Sequence, residues 1–310
     1  EKINVNGEIK SKYLLETYID LAWAAQDLLE SAGIMLARKL VNNYNVENIC
    51  IAGGVGMNCK MNGEILRKSG AKNIFVQPAS SDSGTALGAA MYVAKNLGEN
   101  IRNPLNNVYM GPGYTNDQVL QVLKNCGTKF IETEYFADAG VDLLEKNKII
   151  GWFQGRMEFG ARALGNRSIL ANPAERNIKN KVNERVKFRE NWRPFCPSIT
   201  ADKKSDYINN PNETKFMIVA YEMNRDKQNK LPSVAHVDGT IRPQTITRDI
   251  NLAFYNLISN LGKKTGHPVV LNTSFNVRGE PIVCTPLEAI RCFYSTGLDA
   301  LIINNFILIK

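Results

Sequence analysis

The sequence predicts an α/β protein built in two parts, and three observations predict it. A strand, glycine-bearing turn and helix follow one another twice within the first hundred residues; an Asn/Pro/Gly-rich break lies near residues 100–117; and short apolar strands with one strongly basic stretch follow it.

Taken in order, the run from Tyr13 to about Val41 has no Pro and carries apolar residues at spacings of three and four, which predicts long helical structure. Asn48 to Ala52 is the pattern of a buried strand, Gly53 to Gly56 a tight turn and Asn58 to Lys68 a helix. A strand at Asn73 to Val76, a polar turn at Pro78 to Gly84 and a helix from Thr85 to about Leu97 repeat the order. In the second part we expect a helix near Asp117 to Leu123 and strands near Lys129 to Glu132, Ile149 to Phe153, Phe216 to Tyr221, His267 to Leu271 and Ala300 to Ile309. A helix at Pro286 to Tyr294 and a mobile loop at Glu222 to Lys230 complete the expectation.

With 310 residues the chain is long enough for two cores. No apolar run approaches a membrane span and residues 1–6 lack the pattern of a signal peptide, so a cytoplasmic location is expected. The six cysteines have no CxxC spacing and read as free, buried thiols. Between Gly151 and Thr200 there are ten Lys or Arg against four Glu and no Asp, so this segment alone carries +6 of the net +8. An anionic partner is expected there. The segment lacks the interleaved aromatics and fold signatures of nucleic-acid binders, which favours a phosphate-rich small molecule over nucleic acid.

Several groups of residues carry chemistry. Gly53, Gly54 and Asn58 lie where backbone amides at a strand-to-helix turn can face a phosphate, although the spacing fits neither a Walker loop nor the dinucleotide fingerprint; a plain tight turn is the alternative. Asp82 opens a helix, where it reads as a cap or, alternatively, as one ligand of a hard metal. Arg162 and Arg167 are set among glycines, and Lys187 and Arg189 follow among aromatics; guanidinium forks on a pliable backbone suit phosphate or carboxylate. His236, Asp238, Thr240 and Arg242 share one face if extended, with His236 available as a general acid or base. Asn272, Ser274 and Asn276, with Arg278 behind them, alternate on one face of the strand end and offer a polar edge to a small ligand.

Together Gly53-Gly54-Val55 with Asn58, Asp82 with Gly84 to Ala90, Gly151 to Ser168, Arg193-Pro194-Phe195, His236 to Thr245 and Leu271 to Ile282 resemble the carboxy-terminal part of the O-carbamoyltransferases of the nodulation and antibiotic-tailoring type. The resemblance implies an α/β fold in which residues 1–106 form the second lobe of an actin/hexokinase-like domain and residues 107–310 a YrdC-like α/β domain. It implies that ATP and carbamoyl phosphate yield carbamoyl-adenylate, with Mg2+ for that step, and that a bound Fe2+ then assists transfer to an acceptor hydroxyl. Arg162, Arg167, Lys187, Arg189 and Arg242 become the expected phosphate contacts. His236, Asn272, Ser274, Asn276 and Arg278 are expected to orient the carbamoyl group and nucleotide, Gly53, Gly54 and Asn58 to hold the adenylate, and Asp82 to ligate metal. The family's first lobe and its histidine motif do not occur in this sequence, so a truncated chain that forms the adenylate but does not complete transfer is expected. A threonylcarbamoyl-adenylate-type enzyme and a basic nucleotide- or RNA-binding module are the rival readings.

Overall fold

The computed structural model describes residues 2–5, 8–11, 16–102, 104–209 and 214–310. Strands β1 (Lys2–Val5) and β2 (Glu8–Ser11) form a small antiparallel pair. The first helix, α1, runs Glu16–Tyr44; the expected start at Tyr13 lies outside the described residues. Next come β3 (Asn48–Ile51), a 3-10 turn at Gly54–Met57, α2 (Cys59–Lys68), β4 (Asn73–Val76) and α3 (Ser83–Asn96). β3 and β4 pair in parallel as a sheet of two, the product of one strand-turn-helix-strand unit. Ala37 on α1 and Met61 and Ile65 on α2 make its small core. The remainder of this unit is apolar and open, for Trp23, Leu21 and Leu28 on α1 and Tyr92 on α3 are exposed, and α3 buries no residue.

Residues 100–102 and 104–115 form neither helix nor strand. Beyond them are α4 (Asn116–Asn125), β5 (Ile131–Glu132), α5 (Phe136–Glu145), β6 (Ile150–Phe153), β7 (Arg167–Ala171), α6 (Ile178–Val182) and β8 (Cys196–Thr200). They are followed by β9 (Tyr221–Glu222), α7 (Arg225–Gln228), β10 (Thr240–Ile241), β11 (Gln244–Ile246) and α8 (Leu252–Thr265). The chain continues with β12 (Val269–Ser274), α9 (Pro286–Ser295), β13 (Ala300–Ile303) and β14 (Phe306–Ile309). Among the described residues, eight of these strands form one mixed sheet in the order β11-β8-β12-β7-β6-β13-β14-β5.

Strand periodicity divides this sheet's side chains between two cores. Trp152, Leu170, Val270 and Ile302 face α5 and α8, whereas Phe153, Ile169, Leu271 and Leu301 face a larger core that includes Phe293 and Ile290 of α9. Helix ends follow local rules: Thr285 and Glu288 form a reciprocal capping box with Pro286 in the first turn of α9, and Gly266 closes α8 in the left-handed region.

Four expectations about elements change. Only Tyr221 of the expected strand Phe216 to Tyr221 is in a strand; residues 216–220 instead run as buried irregular chain against α2, with the Ala220 amide donating to the Cys59 carbonyl. The expected mobile loop holds the helical turn α7, where the Asn224 amide donates to Tyr207 O. Ala300 to Ile309 is a hairpin rather than one strand, because Asn304 takes a positive φ at the turn. Of the cysteines, Cys196 and Cys292 are buried but Cys50 and Cys126 are exposed.

Candidate functional site

The basic segment reaches the site through a loop and a turn. The loop before β7 is pinned by Glu158, whose Oε1 accepts the backbone N–H groups of Leu164, Asn166 and Arg167. Burial raises the Glu158 carboxyl, and those three donors oppose the shift. Glu158 escaped sequence reasoning, since a lone Glu among Met and Phe gives no sign that it collects three amides. Its effect is to fix the loop that carries Arg162, a largely buried side chain. After α6, a π turn at Asn183–Lys187 ends in Phe188 with φ 47°, and this left-handed step turns the chain so that Lys187 points inward and Arg189 follows beside it.

Lys187 is 5% exposed, and its ammonium donates among four oxygens at the end of β12. These are Ser274 O at 2.8 Å, Ser274 Oγ at 3.1 Å, Asn276 O at 3.0 Å and Asn276 Oδ1 at 2.6 Å. Burial, and then the guanidinium groups of Arg189 and Arg193, pull the Lys187 pKa down to about 7. Ser274 Oγ also donates to Asn276 Oδ1 at 2.7 Å. The shared face of Asn272, Ser274 and Asn276 is therefore only partly kept. β12 extends to Ser274, but the Asn276 amide then folds back onto Ser274 O, and Asn272 is buried with its Nδ2 on Ser198 Oγ, Gln244 Oε1 and Ala163 O.

A second cluster adjoins the first. Arg242 Nε donates to Cys196 Sγ at 3.0 Å, and Arg162 lies near both Arg242 and that sulfur. Burial, and then Arg242, lower the Arg162 pKa to about 10; burial, and then Arg193, do the same to Arg189. His236, Asp238, Thr240 and Arg242 do not line one extended strand, because the chain closes a tight turn in which the His236 amide donates to Thr240 O and the Gly239 amide to His236 O. His236 Nδ1 meets Thr240 Oγ1 at 3.1 Å. The cluster sits at the contact between the two parts of the chain. Lys60 of α2 pairs with Asp238 at 3.0 Å, and Asn62 Nδ2 donates both to Gly56 O at 2.8 Å and to Ile218 O at 2.7 Å.

Arg162, Lys187, Arg189, Arg242, His236, Ser274 and Asn276 thus fall in one neighbourhood; the other expected contacts lie elsewhere. Arg167 is 0% exposed, its guanidinium donates to the carbonyls of Gln154, Gly155, Asn166 and Pro112, and it lies 3.6 Å over the Phe153 ring, so it braces the sheet rather than facing a ligand. Asn58 caps α2 through the Met61 amide and exchanges amide bonds with Gln26 of α1, which leaves its side chain engaged. Arg278 is exposed on the rim, 4.0 Å from Glu190. Gly53 and Gly54 face open space, Gly53 at φ 97°. Asp82 is exposed at the start of α3 and makes no side-chain cap. One carboxylate does not suit iron, and no group of three or more His, Cys, Asp or Glu able to hold a metal occurs among the described residues.

The molecule is therefore an α/β protein with a buried-lysine, multi-arginine cradle beside the contact between its two parts. It belongs to the carbamoyltransferase family: the family described as "Carbamoyltransferase C-terminus" matches residues 141–310, and "Carbamoyltransferase N-terminus" matches residues 3–91. Nodulation protein NolNO of Sinorhizobium fredii is 39% identical over 94% of this chain and 44% of its own length. Nodulation protein NolO of Bradyrhizobium diazoefficiens is 37% identical over 99% of this chain and 57% of its own length. The chain spans about half the length of the curated relatives it matches. A solved structure of full-length HypF in its phosphate- and nucleotide-bound form is similar to 59% of this chain and 23% of that one, at 14% identity and a TM-score of 0.40. No helix among the described residues is long and apolar enough to cross a membrane.

Proposed function

We propose that this chain forms carbamoyl-adenylate from ATP and carbamoyl phosphate, with residues 107–310 as the YrdC-like part that does so and residues 1–106 as the actin/hexokinase-like part that receives the product. Water cleaves carbamoyl phosphate to carbamate and phosphate; the carbamate oxygen then attacks the α-phosphorus of ATP, the bond to the β-phosphate oxygen breaks, and pyrophosphate leaves. Transfer of the carbamoyl group to a hydroxyl acceptor, with release of AMP, is the second step of this reading. The observation that carries it is the cradle itself. Lys187, Arg189, Arg193, Arg162 and Arg242 gather beside the Ser274–Asn276 edge, and Glu190 on the rim is the carboxylate nearest Arg193. Such a surplus of positive charge in a partly buried site stabilises the phosphate oxygens as they gain charge on leaving.

Arg189 is assigned to the phosphates, Arg162 and Arg242 to the carbamoyl phosphate, and Ser274 and Asn276, held in place by the buried Lys187 ammonium, to the polar edge that orients the carbamate. His236 serves as a hydrogen-bond donor beside Arg242. No step is routed through iron, because Asp82 alone does not fit it. Carbamoyl-phosphate-dependent pyrophosphate release from ATP tests the proposal. Arg162→Ala is expected to lower the rate by about a hundredfold, the usual loss for one group aimed at developing charge, and Lys187→Ala, which frees the Ser274–Asn276 edge, to lower it as well. Pyrophosphate release that needs no carbamoyl phosphate, or that is unchanged in both variants, overturns it.

A further inference from the structure

Three buried polar side chains interrupt an otherwise apolar face of the large sheet. Strand alternation puts Ser198 of β8, Gln244 of β11 and Asn272 of β12 on the side of Val270 and Ile246, where they are 0%, 1% and 1% exposed. They bond one another and the loop before β7. Ser198 Oγ donates to Gln244 Oε1 at 2.7 Å, and Gln244 Nε2 donates to Leu164 O at 2.7 Å. Asn272 Nδ2 shares its hydrogens among Ser198 Oγ at 3.0 Å, Gln244 Oε1 at 3.3 Å and Ala163 O at 3.3 Å. Each anchor lies one or two residues from a cradle group. Gln244 comes two after Arg242, Ser198 two after Cys196, whose sulfur accepts Arg242 Nε, Asn272 two before Ser274, and Ala163 and Leu164 directly after Arg162.

A buried polar trio gains little stability over an apolar one of equal volume. What it adds is direction, since hydrogen bonds fix separations that apolar packing leaves loose. We propose that Gln244 and Ser198 are positioning residues for carbamoyl phosphate: with Asn272 they clamp the Arg162 loop, the chain that carries Arg242 and the Ser274–Asn276 edge at one spacing. Arg189 stands outside the clamp, for its Nε donates to Asn183 Oδ1 at 2.7 Å and its guanidinium lies over the Phe195 ring. The clamp therefore sets the part of the cradle assigned to carbamoyl phosphate and not the part assigned to the phosphates of ATP. That division rests on the function proposed above; the hold on Arg162 and Arg242 does not.

Gln244→Met keeps the volume and drops the bonds; Ser198→Ala removes one hydroxyl and no bulk, and decides the matter if the first variant does not fold. Leu144→Ala on α5, 0% exposed and outside the clamp, is the control for plain loss of stability. In pyrophosphate release by the whole chain, corrected for the folded fraction, both clamp variants are expected to raise the KM for carbamoyl phosphate about tenfold. Their kcat should fall by about tenfold to a hundredfold, the order of loss for a group displaced by about an ångström, with the KM for ATP unchanged. Leu144→Ala is expected to lower Tm and leave kcat and both KM values as they were. Sulfate affinity, read by calorimetry and independent of any reaction, should fall about tenfold in the clamp variants alone. If the unaltered chain releases no carbamoyl-phosphate-dependent pyrophosphate, the proposed function fails and the sulfate measurement decides the clamp. Unchanged sulfate affinity in both clamp variants overturns the clamp, as does a KM for ATP that rises as much as that for carbamoyl phosphate.

Discussion

The two parts of this chain use apolar residues in opposite ways. The eight-stranded sheet hides Trp152, Phe153, Leu170 and Leu301 completely and distributes them between two cores, whereas the two-stranded sheet leaves Trp23, Leu28 and Tyr92 open on α1 and α3. Apolar count therefore does not measure stability here; what matters is whether the topology supplies a second layer. The eight-stranded part can hold buried Glu158, Arg167 and Lys187, since each has fixed oxygens or amides around it. The smaller part contributes side chains to the seam without a comparable interior.

The comparison can be broken at four points. Trp152→Ala removes a fully buried ring and its Nε1 bond to Gly165 O, and should destabilise the chain by about 3–5 kcal/mol in denaturant unfolding. Glu158→Ala leaves three loop amides without their acceptor and should cost about 3 kcal/mol, visible in the same measurement and as faster amide exchange at Leu164 and Asn166. A smaller effect concerns charge. The Lys187 pKa is lowered, so the folded chain keeps that proton below about 7 and loses it above, while the unfolded chain keeps it to higher pH. Binding of sulfate, whose own charge is constant, should accordingly weaken about tenfold from pH 6 to pH 8, and the Lys187 share of that dependence should be lost in Lys187→Arg. Calorimetric titration at the two pH values decides this. Smallest of all, Leu28→Ser on the open face of α1 should change stability by about 0.5 kcal/mol or less. A loss as large as that of Trp152→Ala would show that the open face is covered in solution.

Much of this fold was legible because it obeys simple periods. α1, β3, β4 and α9 fall close to where apolar spacing, glycine and proline place them. β7 and β8 were not legible as strands, since Arg167 begins one and Cys196-Pro197 the other, and five buried residues leave no alternation to see. The site was legible as composition rather than as geometry. Sequence brings Arg162, Arg167, Lys187, Arg189 and Arg242 forward on equal terms, yet only packing decides that Arg167 turns onto carbonyls and Phe153. Asn58 and Asn272 illustrate the same limit, for an amide behind a strand can face a ligand or satisfy its neighbours. Cys196 was passed over because nothing in Arg193-Pro194-Phe195-Cys196 announces that Arg242 will return to its sulfur from 46 residues away.

The Asn62 amide has a mechanical consequence. One nitrogen holds the Gly56 carbonyl of the glycine turn and the Ile218 carbonyl of the larger part together, so it works as a rivet between two plates. A shift of the glycine turn by about an ångström stretches one of the two bonds beyond the range of a hydrogen bond unless residues 216–220 follow. Those residues lead directly into β9, which pairs with β10 immediately before Arg242. Motion at the glycine turn and the position of an arginine in the cradle are thereby joined, with the Asn62 amide as one of the links.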